Sequence, residues 1–234
     1  MFCRMTKVLC TAIAAITLSS HLMAASKPIP LILDTDIGTD VDDAYALVLA
    51  ARSPRLDLRA VTTAYGNVAL RSTIARKLLG MMGKSQVPVA SGLEKALDGH
   101  EIKMGGWEGK GLLAEAEEVK GVSPTPAPDL IIQILSGSNQ KVTIASVGGL
   151  SNVAMALKMK PEVKMNLERI VIMGGCVRPF ILQGKRIPDH LETNLHHDVD
   201  AATLVLQRPS ASEFAWKLNL AKSALSKIQK VLSK

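Results

Sequence analysis

Leu33-Asp34-Thr35-Asp36-Ile37-Gly38-Thr39-Asp40-Val41-Asp42-Asp43-Ala44 lies near the start of this 234-residue chain. The short apolar run Pro30 to Leu33 leads into it and stops abruptly in acids, as a buried parallel strand does at its carboxyl end. The apolar stretch Ala44 to Ala51 follows and predicts a helix beginning at the acidic loop. A strand, an acidic loop and a helix in that order are the first unit of an α/β fold. Ligands of open parallel sheets sit beyond the carboxyl ends of the strands, which is where these five aspartates fall. Crowded carboxylates repel one another and resist ionisation, and a hard divalent cation relieves this, because such ions are held by several oxygens at once. Capping a helix needs only one or two acids.

Working outward, the same alternation continues. Asp57 to Thr63 reads as a second strand, Leu70 to Met82 as a helix closed by Gly83, and Val87 to Ala90 as a third strand. From Leu93 to Ser123 the pattern breaks into a long glycine-punctuated loop around Trp107. Asp129 is the expected cap of a helix over Leu130 to Leu135. Lys141 to Val147 and Arg169 to Met173 read as strands, Asn152 to Met159 and Val199 to Gln207 as helices, and the chain between Gly175 and His197 as irregular. The expected architecture is an open, mostly parallel sheet with helices on both faces. Beyond Glu213, the spacing of Phe214, Leu218, Ala221, Leu225, Ile228 and Leu232 is amphipathic and helical.

Composition narrows the class. Apolar residues make up 47% and aromatics only 3%, so the core is aliphatic. Arg4 and Lys7, the uncharged run Val8 to Ser20 and the small residues at Ala24-Ala25 have the layout of a secretory signal over residues 1–25. That run is shorter than the roughly 20 residues needed to span a bilayer, so no stable membrane anchor is expected. The remaining residues, 26–234, form one domain in a secreted or periplasmic protein. The net charge of +7 falls to +5 once Arg4 and Lys7 leave with the signal. The remaining basic residues are scattered and lack interleaved aromatics, which argues against a nucleic-acid face. Cys3 and Cys10 also leave, and Cys176 alone forms no internal disulfide; it is expected as a small buried residue.

Two other acidic motifs fit the opening stretch poorly. A haloacid-dehalogenase phosphotransferase needs Thr where Gly38 stands, and an EF-hand needs a ligand at Gly38 and a helix before the loop. The full string resembles instead the opening motif of the nucleoside hydrolase family, of the inosine/uridine-preferring type. Further segments resemble that family in order: Val61-Thr62-Thr63-Ala64-Tyr65-Gly66-Asn67, Val147-Gly148-Gly149-Leu150-Ser151-Asn152, Met173-Gly174-Gly175, and Glu192-Thr193-Asn194 with Asp198-Val199-Asp200-Ala201-Ala202.

The resemblance implies hydrolysis of the N-glycosidic bond of ribonucleosides with bound Ca2+, in nucleoside salvage. It implies Asp36 as general base and metal ligand, Asp43 as metal ligand, and Val147 as a ligand through its backbone carbonyl. Asp42, Asn67, Glu192 and Asn194 would bind ribose, and Asp34 and Asp40 would support the site. His196 and His197, at a helix start, are expected at the surface or as caps. Family members continue into a C-terminal portion bearing a His-Asp pair, whereas this sequence ends at Lys234, so the expected domain is C-terminally shortened. The alternative expectation is a catalytically impaired homologue that binds only metal and ribose or nucleoside in the periplasm. An apolar edge left by such shortening would favour a homo-oligomer.

Overall fold

The structure, a computed structural model, describes residues 27–103, 105–113, 121–175, 180–182, 184–187 and 193–206. The expected signal segment, Cys176, Glu192 and the amphipathic tail lie outside these residues. No helix among the described residues is long and apolar enough to cross a membrane.

The expected α/β architecture is present. Strands β1 (Ile29–Thr35), β2 (Leu56–Thr63), β3 (Val89–Ser91), β4 (Val122–Ser123), β5 (Val142–Ser146) and β6 (Leu167–Ile172) form one sheet in the order β4-β3-β2-β1-β5-β6. Every pairing in it is parallel. The chain winds outward from β1 through β2, β3 and β4, then returns to place β5 and β6 on the other side of β1. The strand order therefore reverses beside β1, and a crevice opens there beyond the carboxyl ends of the strands.

Alternation along β1 assigns the two faces. Leu31 and Leu33 pack with α1 (Val41–Arg52) and α2 (Val68–Met81), through Leu47, Ile74 and Leu79. Ile32, between them, packs on the opposite face with α3 (Ala127–Gly137) and α4 (Ser151–Met159), through Ile131, Leu135 and Val153. A last helix, α5 (Val199–Leu206), lies against α4.

Local differences from the sequence reading have physical causes. Helix α1 starts at Val41, which places Asp42 and Asp43 in its first turn, where the helix dipole favours acids. Helix α3 starts at Ala127, with Pro126 at the cap position and Asp129 inside the first turn. Pro128 fits there because first-turn N–H groups have no partner within the helix. Strand β4 joins the sheet from within the stretch read as loop. A two-stranded antiparallel hairpin, β7 (Phe180–Leu182) with β8 (Lys185–Ile187), occupies part of the stretch read as irregular.

Candidate active site

A cavity of about 420 Å3 opens where the strand order reverses, and Asp36, Asp40, Asp42, Asp43, Asn194 and His197 line it, with Lys103 at its wall. Asp34 lies below it. That side chain is fully buried and accepts hydrogen bonds from Thr62 Oγ1 at 2.6 Å, Asn152 Nδ2 at 2.8 Å and Ser146 Oγ at 3.3 Å. Burial pushes its carboxyl up to about 6 against the pull of those donors. Asp34 thus pins β1 to β2, β5 and α4.

Of the next two residues, Thr35 is buried and Asp36 lines the cavity. Thr35 accepts from the Ile37 N–H at 3.1 Å and donates its hydroxyl to Asp43 Oδ1. Asp36 is 9% exposed; burial raises its carboxyl above the ordinary range, and the nearby Arg71 guanidinium opposes this. Asp43 is pushed up to about 7, first by burial and then by the charge of Asp36. Two desolvated carboxylates in one cavity are hard oxygen donors, the residue type that could hold a hard cation. Among the described residues, no group of three or more His, Cys, Asp or Glu side chains gathers to hold a metal.

Val147 and Asn194 meet at the cavity edge. Asn194 Nδ2 donates to the Val147 carbonyl at 2.7 Å and to the Met173 carbonyl at 2.9 Å. The Val147 side chain packs instead into the aliphatic core on the α1 face. Gly148 follows, and a Cβ there would lie 2.6 Å from Asp36 Oδ1, so the approach of this loop to the acidic loop requires glycine.

The expected site residues are thus divided. Asp36, Asp40, Asp42, Asp43 and Asn194 share the cavity. Asn67 does not line it: exposed at the start of α2, it accepts from the Leu70 N–H at 3.0 Å and caps the helix. His196 is exposed as expected, but the short 3-10 turn His196–Asp198 brings His197 to the cavity wall, edge-on to Tyr65 with ring centroids 5.7 Å apart.

Two groups escaped the sequence reading. Arg71 is buried beneath the acidic loop. Tyr65, in the left-handed region at φ 67°, shares a 2.7 Å hydrogen bond with Ser151 Oγ, and Ser151 donates to Asp198. Asp198 also accepts from the N–H groups of Leu97 at 2.8 Å and Ala201 at 2.9 Å. Burial raises the Tyr65 hydroxyl far above its ordinary range, so it remains protonated and serves as a strut. Tyr65 and the following Gly66, at φ 61°, both take left-handed backbone, which for a tyrosine is invisible without coordinates.

Comparison with known proteins agrees with the geometry. The family described as inosine-uridine preferring nucleoside hydrolase matches residues 31–233. The pyrimidine-specific ribonucleoside hydrolase RihA of Escherichia coli O127:H6 is 36% identical over 184 residues, covering 76% of this chain and 57% of that protein. The RihA of Photobacterium profundum is 34% identical over 183 residues with the same coverage. Among solved structures, the plant nucleoside hydrolase PpNRh1 superposes with a TM-score of 0.64 at 30% identity, over 76% of this chain and 56% of that one. The purine-preferring ribonucleoside hydrolase of Gardnerella vaginalis gives 0.62 at 28% identity, over 75% and 57%. The chain spans a little over half the length of the curated relatives it matches. With its parallel sheet, its acidic loop at the reversal of strand order and a match extending over most of its length, the chain belongs to the inosine-uridine preferring nucleoside hydrolase family.

Proposed function

We propose that the cavity binds a ribonucleoside by its sugar and that Asp36 activates the water that cleaves the N-glycosidic bond. The observation that carries this reading is the buried pair Asp36 and Asp43 in a cavity also lined by the polar side chains of Thr39, Asp42, Asn194 and His197. The pair fits calcium by charge and hardness, and the family resemblance adds the Val147 carbonyl, at the exit of β5, as a backbone ligand. Asp36, Asp43 and Val147 would hold the ion, whose chemistry is to make bound water more acidic.

The chain's own residues do the rest. Asp36 accepts a proton from water as the water oxygen bonds to C1 of the ribose. The bond from C1 to the base nitrogen breaks, its electron pair leaves with the base, and the cavity's carboxylates stabilise the cationic character left on the sugar. Asp42 and Asn194 face the cavity where ribose hydroxyls would lie, and Glu192 belongs to the same motif. Asp40 adds charge at the rim, and Asp34 holds the floor from below. The signal-like segment 1–25 would deliver this activity to the periplasm, where cleavage near Ala24 or Ala25 is checked by N-terminal sequencing of the exported chain.

A second reading, capture of metal and ribose without turnover, draws on two observations. Asn67 is engaged as a helix cap, and the Asn194 amide is bonded to two backbone oxygens. Release of free base from inosine and uridine by the purified chain, with calcium and with chelator, separates the readings. Calcium-dependent release supports hydrolysis. Calcium-dependent stabilisation by ribose with no release supports capture alone.

A further inference from the structure

The acidic loop has its own buried cation. Arg71 stands in the first turn of α2, is 1% exposed and does not line the cavity. Its Nε donates to the Tyr65 carbonyl at 2.8 Å. Its Nη1 donates to the carbonyls of Asp36 and Ile37, the latter at 2.7 Å. Its Nη2 donates to Thr39 Oγ1 at 3.1 Å, with Glu108 Oε1 3.7 Å away. These acceptors come from three segments far apart in sequence: the exit of β2, the acidic loop and the loop 105–113.

Glu108 closes the arrangement. It accepts from Thr39 Oγ1 at 2.9 Å and from the Gly106 N–H at 3.3 Å, while Trp107 Nε1 donates to the Thr39 carbonyl at 2.8 Å. The loop 105–113 is therefore fastened to residue 39 and to the guanidinium beneath it.

A buried arginine is costly unless its donors are met, and a core position is more cheaply filled by an apolar side chain. Here the donors are spent on backbone oxygens of the acidic loop. Fixing the carbonyls of Asp36 and Ile37 fixes two successive peptide planes, and with them the direction in which the Asp36 side chain leaves the chain. The other ties on the loop are the Ile37 N–H on Thr35, the buried Ile37 side chain and the Trp107 and Glu108 bonds to Thr39, none of which engages the Asp36 carbonyl. Gly38 turns at φ 119°, where a Cβ would lie 2.8 Å from Ile74 Cδ1.

We infer that Arg71 is the positioning residue of this site, setting the backbone of residues 36–39 so that the Asp36 and Asp43 carboxylates converge. Through Thr39 and Glu108 it ties the Trp107 loop to the same frame. This inference rests on the calcium-and-ribose reading above, and its test separates the two.

Calcium alone is titrated calorimetrically into the wild type, Arg71→Met, Arg71→Lys and Glu108→Gln, and each protein is also melted in chelator. Arg71→Met should bind calcium at least about tenfold more weakly, because hydrogen bonds from a charged donor are lost. Arg71→Lys should recover part of that loss, having a charge but no fork, and Glu108→Gln should show a smaller loss. A lower melting point with unchanged calcium affinity overturns the inference and makes Arg71 a packing residue only. Tighter binding in Arg71→Met also overturns it, since the guanidinium would then oppose the incoming ion. If Arg71→Met does not fold, the other two variants decide, and wild-type affinity in both sinks the inference. A wild type that takes up no calcium removes the calcium-and-ribose reading itself, and the inference with it.

Discussion

The side-chain amide of Asn194 bridges two strand exits, donating to Val147 O at 2.7 Å and to Met173 O at 2.9 Å. One side chain thereby extends the link between β5 and β6 past the end of their backbone pairing, and it does so on the oxygen proposed to face the cation. Asn194→Ala removes both bonds, and at a net value of ~1 kcal/mol each the loss should be about 1–3 kcal/mol. Asn194→Asp should lose more, because a carboxylate cannot donate to two carbonyls. Urea unfolding in chelator measures both; wild-type stability in the Asp variant would show that the bridge does not hold in solution.

Asp36→Asn separates chemistry from stability. Removing the proposed base should lower base release by a factor on the order of 10²–10⁴. The same change removes a buried carboxylate whose ionisation burial opposes, so the melting point in chelator at neutral pH should stay level or rise. Activity that survives this substitution would eliminate Asp36 as the base.

The metal-free chain should be more stable in mild acid. Burial raises the carboxyls of Asp34 to about 6 and Asp43 to about 7, from an ordinary 3.8. Between those limits the folded chain binds more protons than the unfolded chain, so stability falls as pH rises through the window. For Asp34 alone the difference between pH 4 and pH 7 is on the order of 3 kcal/mol. Denaturation midpoints in chelator should therefore be higher at pH 5 than at pH 7.5, and Asp43→Asn should flatten the slope. Saturating calcium should remove the Asp43 part of the slope as well, because the ion takes the place of the proton on that carboxylate, and should leave the Asp34 part. A wild-type midpoint that climbs with pH would contradict the assignment.

Gly148→Ala tests the closeness of two loops. A methyl group there lies 2.6 Å from Asp36 Oδ1 and 2.9 Å from Asp36 Cγ and N, so it must displace that carboxylate. Calcium affinity should drop by more than tenfold, while the change in urea midpoint stays near the ~1–3 kcal/mol of a modest overpacking. Unaltered calcium binding in a folded Gly148→Ala protein would place the cation away from Asp36.

How far the sequence could be read depended on the length of each signal. Strand β1 and the acidic loop were legible because an apolar run ending in five acids fits little besides a buried strand that meets a charged site. Strand β4, at two residues, and hairpin strands of three residues are too short to show a period. Asn67 was legible as a loop residue, but whether its amide caps a helix or meets a ligand depends on where α2 begins. Arg71 gave no signal at all: an arginine in a first helical turn ordinarily faces water, and only the fold of a loop 35 residues earlier in the chain covers it. His197 stands at the cavity wall and not at the surface for a related reason, since the single 3-10 turn that swings it inward leaves no periodic trace.

The three donors on Asp34 also order events during synthesis. Its carboxylate leaves the ribosome early, and the partners it needs arrive at Thr62, Ser146 and Asn152, the last of them 118 residues later. Closing so long a span is a late and entropically expensive step. A nascent chain paused before residue 152 therefore lacks β6 and the Asn152 amide, and its central acid is short of a donor. The residue made first among these is satisfied last, so a polypeptide interrupted midway should be recognised by chaperones and proteases as unfinished, whatever secondary structure it already has.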